Sequence, residues 1–240
     1  MKVENYKFFS ESEHATWKSL FNNLDHCRKH QAHPIFANGV QKLGLTGERI
    51  PDLKEVNRTL SKISGWQGIA VEGLEENESF FTGLANRTFP IGNFIRDARD
   101  INYTPAPDVF HDLYGHLPFF TDMAYAEFCQ DLGVRAAKRS NNSQAMILWG
   151  RLFWFGVEFT LIKTTQGTRI FGGGILSSFG ESNYCLSDAP VVRPFSPKDI
   201  VAKDYKIDEF QKEVFILEKP SQLYECLDEY EMLVDRELSL

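Results

Sequence analysis

A single carboxylate, Glu158, stands inside the run LFWFGVEFTLI at residues 152–162, and no other position restricts the folding of this chain so strongly. An ionised carboxylate enclosed by such side chains costs several kcal/mol unless a partner neutralises it. Either Glu158 turns outward to water, or the fold brings a cation to it. A metal ion held by further ligands meets the second condition.

Candidate ligands lie upstream in PAPDVFHDLYGHLPFFTD, residues 105–122, where His111 and His116 are five residues apart among apolar neighbours. On a regular helix five residues turn the second ring about 140° away from the first. The two imidazoles meet one ion only if the helix widens into a π-like turn or relaxes near Gly115, and π-bulges concentrate at functional sites. This differs from the HExxH pattern, whose histidines sit four apart on one helix face. Two neutral imidazoles and one carboxylate form the facial set that leaves positions open on ferrous iron, which suits oxygenase chemistry. Zinc on the same ligands, acting as a hydrolase, is the chemical alternative. A non-catalytic binding protein with structural histidines is the third reading.

A chain of 240 residues is long enough to bury its own core as one domain. Its 42% hydrophobic and 25% charged content sets disordered and fibrous classes aside. Acidic residues outnumber basic ones 33 to 26, with a pI near 5.4, which argues against nucleic acid as a partner. Residues 1–17 lack the apolar stretch of a signal peptide, and no apolar run is long enough to span a bilayer, so no membrane partner and a cytoplasmic location are expected. Cys27, Cys129, Cys185 and Cys226 show no CxxC spacing and read as reduced core thiols.

Periodicity predicts a mainly α fold with a few short β-strands, in a single domain over residues 1–240. A helix is expected over residues 10–43, opening at the capping-like SESE, with a stop at residues 44–47. A second follows over 51–63, then a short strand in GWQGIAVEGL, a short helix over 76–85, and a loop-rich stretch over 88–107 with at most one strand. Helices over 109–137 and 145–165 carry the histidines and the glutamate. Gly172, Gly173 and Gly174 mark a bend where the backbone approaches something closely. The tail reads as a hairpin over 207–217, then a helix from residue 221 with Leu223, Leu227, Tyr230 and Val234 on one face.

Four motifs carry a resemblance: FFTGLANRTFP, FIRDARDINYTPAPDVFHDLYGHLPFFTD, FWFGVEF and FGGGILSSFGESNYCLSD. In order and spacing, over about residues 10–220, the chain resembles the pterin-dependent aromatic amino acid hydroxylases, and within them the short bacterial phenylalanine 4-hydroxylases made of a catalytic domain alone. The resemblance implies Fe(II) on His111, His116 and Glu158, the residues already singled out. It implies that Arg96, Thr104 and Ser177 hold the amino acid substrate, Arg96 receiving its carboxylate through paired hydrogen bonds. Pro107, Trp154 and Gly174 would line the pocket for the substrate ring. For the tetrahydropterin it implies stacking on Phe80, contacts from Gly73 and Leu74, and flanking by Asp112 and Phe153. Mammalian members carry Glu where Asp112 stands, and Tyr is common where Phe153 stands. The shorter Asp112 reaches through water, and Phe153 lacks the hydroxyl of a tyrosine.

The implied reaction is hydroxylation of L-phenylalanine to L-tyrosine with dioxygen as co-substrate. Attack at the meta carbon, or tryptophan as substrate, are the variants that a few pocket side chains decide. The N-terminal regulatory domain and the C-terminal coiled coil of animal members are expected to be absent. A monomer is therefore expected, with a dimer through exposed faces as the alternative.

Overall fold

The computed structural model describes residues 7–239 apart from residues 74, 102–105 and 208. The first helix, α1 (Glu11–Asn23), opens on a capping box: the Ser10 side chain accepts from Glu13 N–H, and the Glu13 side chain returns to Ser10 N–H. The expected single helix over residues 10–43 is in fact broken. A π-helical turn (Cys27–Gln31) follows α1, and α2 (Pro34–Lys42) restarts behind Pro34, whose missing N–H suits a first helical turn and no helix interior. The stop at Gly44 is real, with φ at 64°.

Next, α3 (Leu53–Ser64) is capped by the Asp52 side chain and ends on Gly65 in the left-handed conformation. Strand β1 (Gln67–Val71), α4 (Asn77–Ala85) and β2 (Thr88–Gly92) form a β-α-β unit, the two strands pairing in parallel. The expected helix over 109–137 is interrupted at its middle. A π-helical turn (Phe110–His116) and a 3-10 turn (Phe119–Thr121) precede α5 (Met123–Ala137), which starts anew where Asp122 caps Tyr125 N–H.

Helix α6 (Ser143–Phe153) runs into a third π-helical turn (Trp154–Glu158). The helix expected over 145–165 therefore ends at Glu158, and the chain turns extended as β3 (Thr160–Thr164), hairpinned to β4 (Gly167–Ile170). An all-apolar run has no period to separate helix from strand, and β-branched Thr160 and Ile162 fit the pleated surface. Short helices α7 (Gly173–Leu176) and α8 (Phe179–Tyr184) follow, then β5 (Val191–Pro194), α9 (Pro197–Val201) and β6 (Glu213–Leu217). Among the described residues the expected hairpin over 207–217 does not form. Instead β6 lies between β3 and β5, parallel to both. Two last helices, α10 (Gln222–Glu225) and α11 (Leu227–Glu237), bury Leu223, Leu227, Tyr230 and Val234 as the periodicity predicts.

The fold is thus mostly helical with a few short strands, and one contiguous apolar cluster runs from α1 to α11. Trp17, Trp66, Trp149, Tyr114 and Phe120 are fully enclosed within it. All four cysteines are free and buried. Among the described residues no helix is long and apolar enough to cross a membrane.

Candidate active site

The two histidines converge because the backbone carrying them is π-helical from Phe110 to His116. His111 and His116 present Nε2 atoms 3.2 Å apart. Glu158 closes the triangle, with Oε1 3.2 Å from His116 Nε2 and Oε2 3.8 Å from His111 Nε2. Glu158 reaches this point because its own turn, Trp154–Glu158, is also π-helical. Wider turns with one extra residue thus aim all three ligands inward.

The donor set fits a divalent ion. Ligands about 2.1 Å from a metal and about 90° apart lie roughly 3 Å from each other, which is the spacing here. Glu158 Oε2 and His116 Nδ1 are buried without a protein partner. Among the described residues these three form the one cluster of histidine, cysteine or acidic groups with metal-holding geometry.

Hydrogen bonding assigns the tautomer of His111. Ser177 Oγ donates its single proton to Gly174 O at 3.1 Å, so at 2.9 Å it accepts from His111 Nδ1–H. Nε2 is then the unprotonated nitrogen, with its lone pair facing Glu158 and His116. Burial pushes the His111 imidazole down to about 4, against the opposing pull of Glu158, so the ring is neutral at pH 7. Burial acts to raise the Glu158 carboxyl, but the neighbouring imidazoles, His116 first, and the Gly174 main chain outweigh it and hold the group below its usual range; the pull of His111 belongs to its protonated form.

The glycine run explains how the backbone lies against this cluster. A Cβ on Gly172 would fall 2.2 Å from Glu158 O, one on Gly173 2.6 Å from His116 Cε1, and one on Gly174 2.8 Å from Glu158 Oε2. The close approach anticipated from the three glycines is therefore made to both ligand-bearing turns.

Beside the metal cluster, Arg96 is buried and gripped by Asp108, Nε to Oδ2 and Nη2 to Oδ1, both at 2.8 Å. Burial opposes ionisation of Asp108, yet the bonds from Arg96 and from main-chain N–H groups hold its carboxyl below the usual range. Asp108 was not anticipated from the sequence. Its signal was local: an Asp three residues before His111, at the head of the turn, where a carboxylate caps main-chain N–H groups.

The other predicted residues divide in two. Ser177 packs against the histidine turn and Gly174 against Glu158, while Asp112 lies within the histidine turn and accepts Gly92 N–H at 2.7 Å. Burial drives the Asp112 carboxyl well above the ordinary range. Phe80 and Phe153 meet edge to face at 4.8 Å, and Phe153 in turn lies 6.3 Å from the His116 ring and nearly parallel to it. Trp154, half-buried, stacks on Tyr205 at 4.4 Å and donates to Gln211. Pro107 and Gly73 are exposed, Gly73 with φ at 82° in the turn after β1. Leu74 and Thr104 lie outside the described residues. Tyr205 and Gln211 were missed, since nothing in the tail marks them as partners of a residue more than fifty positions away.

A mainly helical fold enclosing a buried two-histidine, one-carboxylate cluster defines a protein of the mononuclear metal-site class. Residues 3–240 match the family described as biopterin-dependent aromatic amino acid hydroxylase. The chain belongs to that family. It is 37% identical over 221 residues to a phenylalanine-4-hydroxylase of Pseudomonas aeruginosa, covering 92% of this chain and 84% of the relative. The crystal structure of Chromobacterium violaceum phenylalanine hydroxylase with iron(III) and 7,8-dihydrobiopterin superposes with a TM-score of 0.90 at 36% identity, over 96% of this chain and 83% of that one. Phenylalanine hydroxylase from Legionella pneumophila gives 0.90 at 36% identity, over 99% and 96%.

Proposed function

We propose that this chain is an iron- and tetrahydropterin-dependent monooxygenase that converts L-phenylalanine to L-tyrosine with dioxygen. The observation that carries the reading is the convergence of His111 Nε2, His116 Nε2 and a Glu158 carboxylate in a buried site. Bound iron and reduced pterin supply the activation of dioxygen, and the protein supplies binding, orientation and exclusion of water.

His111, His116 and Glu158 would hold the iron by three positions and leave the remainder open. Ser177 keeps His111 in the tautomer that presents Nε2. Arg96 is set by Asp108 through Nε and one Nη2 hydrogen. A guanidinium has five N–H donors, so its Nη1–Nη2 edge is left for the carboxylate of the amino acid. Thr104 and Ser177 would lie beside the bound amino acid. Trp154, Pro107 and Gly174 would border the ring of the substrate. Phe80 offers a face for the pterin, with Gly73, Leu74, Asp112 and Phe153 around it. The apolar enclosure by Phe89, Phe153 and Phe120 keeps bulk water from the open positions.

Residues 1–240 would act as a single catalytic unit, a monomer in the cytoplasm. The deciding experiment incubates iron-loaded protein with phenylalanine, tyrosine or tryptophan and tetrahydropterin, and resolves the products by chromatography. Tyrosine formed from phenylalanine, with pterin consumed in step, is the expected result. Meta-tyrosine or hydroxytryptophan as the main product would shift the substrate assignment. No oxygen uptake, with zinc as the retained metal, would replace the reading by a hydrolase. Glu158→Ala is expected to lose iron and turnover while keeping its circular dichroism.

A further inference from the structure

Gln211 is 6% exposed although its side chain carries an amide. A buried amide is tolerated only when its donors and acceptor are met. Here Nε2 donates to Lys206 O at 2.9 Å and Glu209 O at 3.0 Å, and Oε1 accepts from the indole Nε1–H of Trp154 at 3.1 Å. Its main-chain N–H faces the carboxyl of Glu181, in α8, and lowers it against the effect of burial. That helix begins at Phe179, two residues after Ser177.

Gln211 is therefore bonded to one wall of the site, the π-helical turn bearing Trp154 and Glu158, and lies beside Glu181 of the other, the α7–α8 segment that also bears Gly174 and Ser177. Tyr205, from the same loop, covers the indole with ring planes 12° apart and centroids at 4.4 Å. Phe159 packs against the indole as well, at 4.5 Å. Rotating the Trp154 side chain would break the hydrogen bond and slide the indole off Tyr205. A half-open pocket of about 230 Å³, lined by Phe155, Tyr205, Phe210 and Gln211 among others, lies on the outer side of this loop.

We propose that Gln211, with Tyr205, is a positioning residue for the substrate pocket, fixing the indole of Trp154 and through it the placement of the substrate's aromatic ring. The proposal deepens the reading given under Proposed function and rests on Trp154 bordering that ring. Gln211 itself touches no substrate. Its effect is on how tightly, and at which carbon, the ring is presented.

The test is Gln211→Leu, which keeps the volume and removes the acceptor. Three readings are expected: the Trp154 indole N–H resonance moves upfield, phenylalanine binding to the iron-loaded protein weakens about tenfold, and KM for the pterin stays within twofold. In turnover, the proportion of meta product rises. In a Trp154→Phe background, which lacks the indole N–H, Gln211→Leu should add no more than a twofold change. Tyr205→Leu should act in the same direction as Gln211→Leu, and Tyr205→Phe should match the parent, so a failure of one variant to fold leaves the other informative. An unmoved indole resonance, or an undiminished loss in the Trp154→Phe background, would overturn the positioning role. A parent protein that binds no phenylalanine would instead defeat the substrate assignment, while the indole resonance still reports on positioning.

Discussion

Asp108 holds the guanidinium of Arg96 by two parallel hydrogen bonds of 2.8 Å and, at 2.9 Å, accepts the main-chain N–H groups of both Arg96 and His111. A single buried carboxylate thus joins the arginine assigned to the substrate and a histidine assigned to the metal. Removing one member of a buried pair leaves the other charge uncompensated, at roughly 3–5 kcal/mol. Asp108→Ala is expected to lower unfolding stability by that order. Asp108→Asn, which puts an NH2 against the guanidinium, should lose less stability but raise the KM for phenylalanine at least tenfold. Denaturant titration and steady-state kinetics would check the two, and an unchanged KM in Asp108→Asn would refute the link to substrate.

Ser177 sets the tautomer of His111. Loss of an outer hydrogen bond to a metal-bound histidine typically weakens metal affinity 10- to 100-fold. Ser177→Ala should therefore lose iron to a competing chelator about that much more readily, even without substrate. Equal retention of iron by parent and variant would show that the hydroxyl does not orient the ring.

The glycine run separates a folding defect from a metal defect. Gly172→Ala would drive a Cβ to 2.2 Å from the Glu158 carbonyl oxygen, a backbone atom with little freedom to retreat. Gly174→Ala would meet the Glu158 carboxylate oxygen at 2.8 Å, which a side-chain rotation relieves. The expected result is poor soluble yield for Gly172→Ala, and for Gly174→Ala a folded protein with weakened iron binding. Thermal melts beside iron titrations distinguish the pair.

Glu181 gives the fold a pH dependence of its own. Burial raises its carboxyl from an ordinary 4.5 to about 7, with only the Gln211 main-chain N–H opposing, and Oε2 has no partner. A raised folded-state value means the folded state binds the proton more tightly than the unfolded chain. The corresponding stability is fully present below about 4.5 and is lost as pH rises through about 7. Its size is about 1–3 kcal/mol. Melting temperatures of parent and Glu181→Gln, followed from pH 5 to 9, should diverge with the variant the more stable at high pH. Parallel curves would mean that Glu181 does not titrate in this range.

Much of the chemistry was legible locally. His111 and His116 could share an ion only through a widened turn, and the backbone is π-helical where that argument requires it. Glu158, stranded among apolar residues, needed a positive partner, and the capping box at Ser10 and the C-terminal apolar face were equally open to reading. Where neighbouring residues send contradictory signals, local reading failed: the apolar run through Thr160 has no period, and a helix was expected where β3 forms.

By itself, the sequence determined which three residues the fold would have to bring together and how the backbone must bend to aim them, because helical geometry and the cost of burying charge act within a few residues. Tertiary structure alone decided that β6 enters between β3 and β5, that Asp108 orients Arg96 and that Gln211 reaches Trp154. Those relationships depend on which distant segments are brought to hydrogen-bonding distance, and pairing between residues as far apart as Trp154 and Gln211 leaves no trace in the spacing of either.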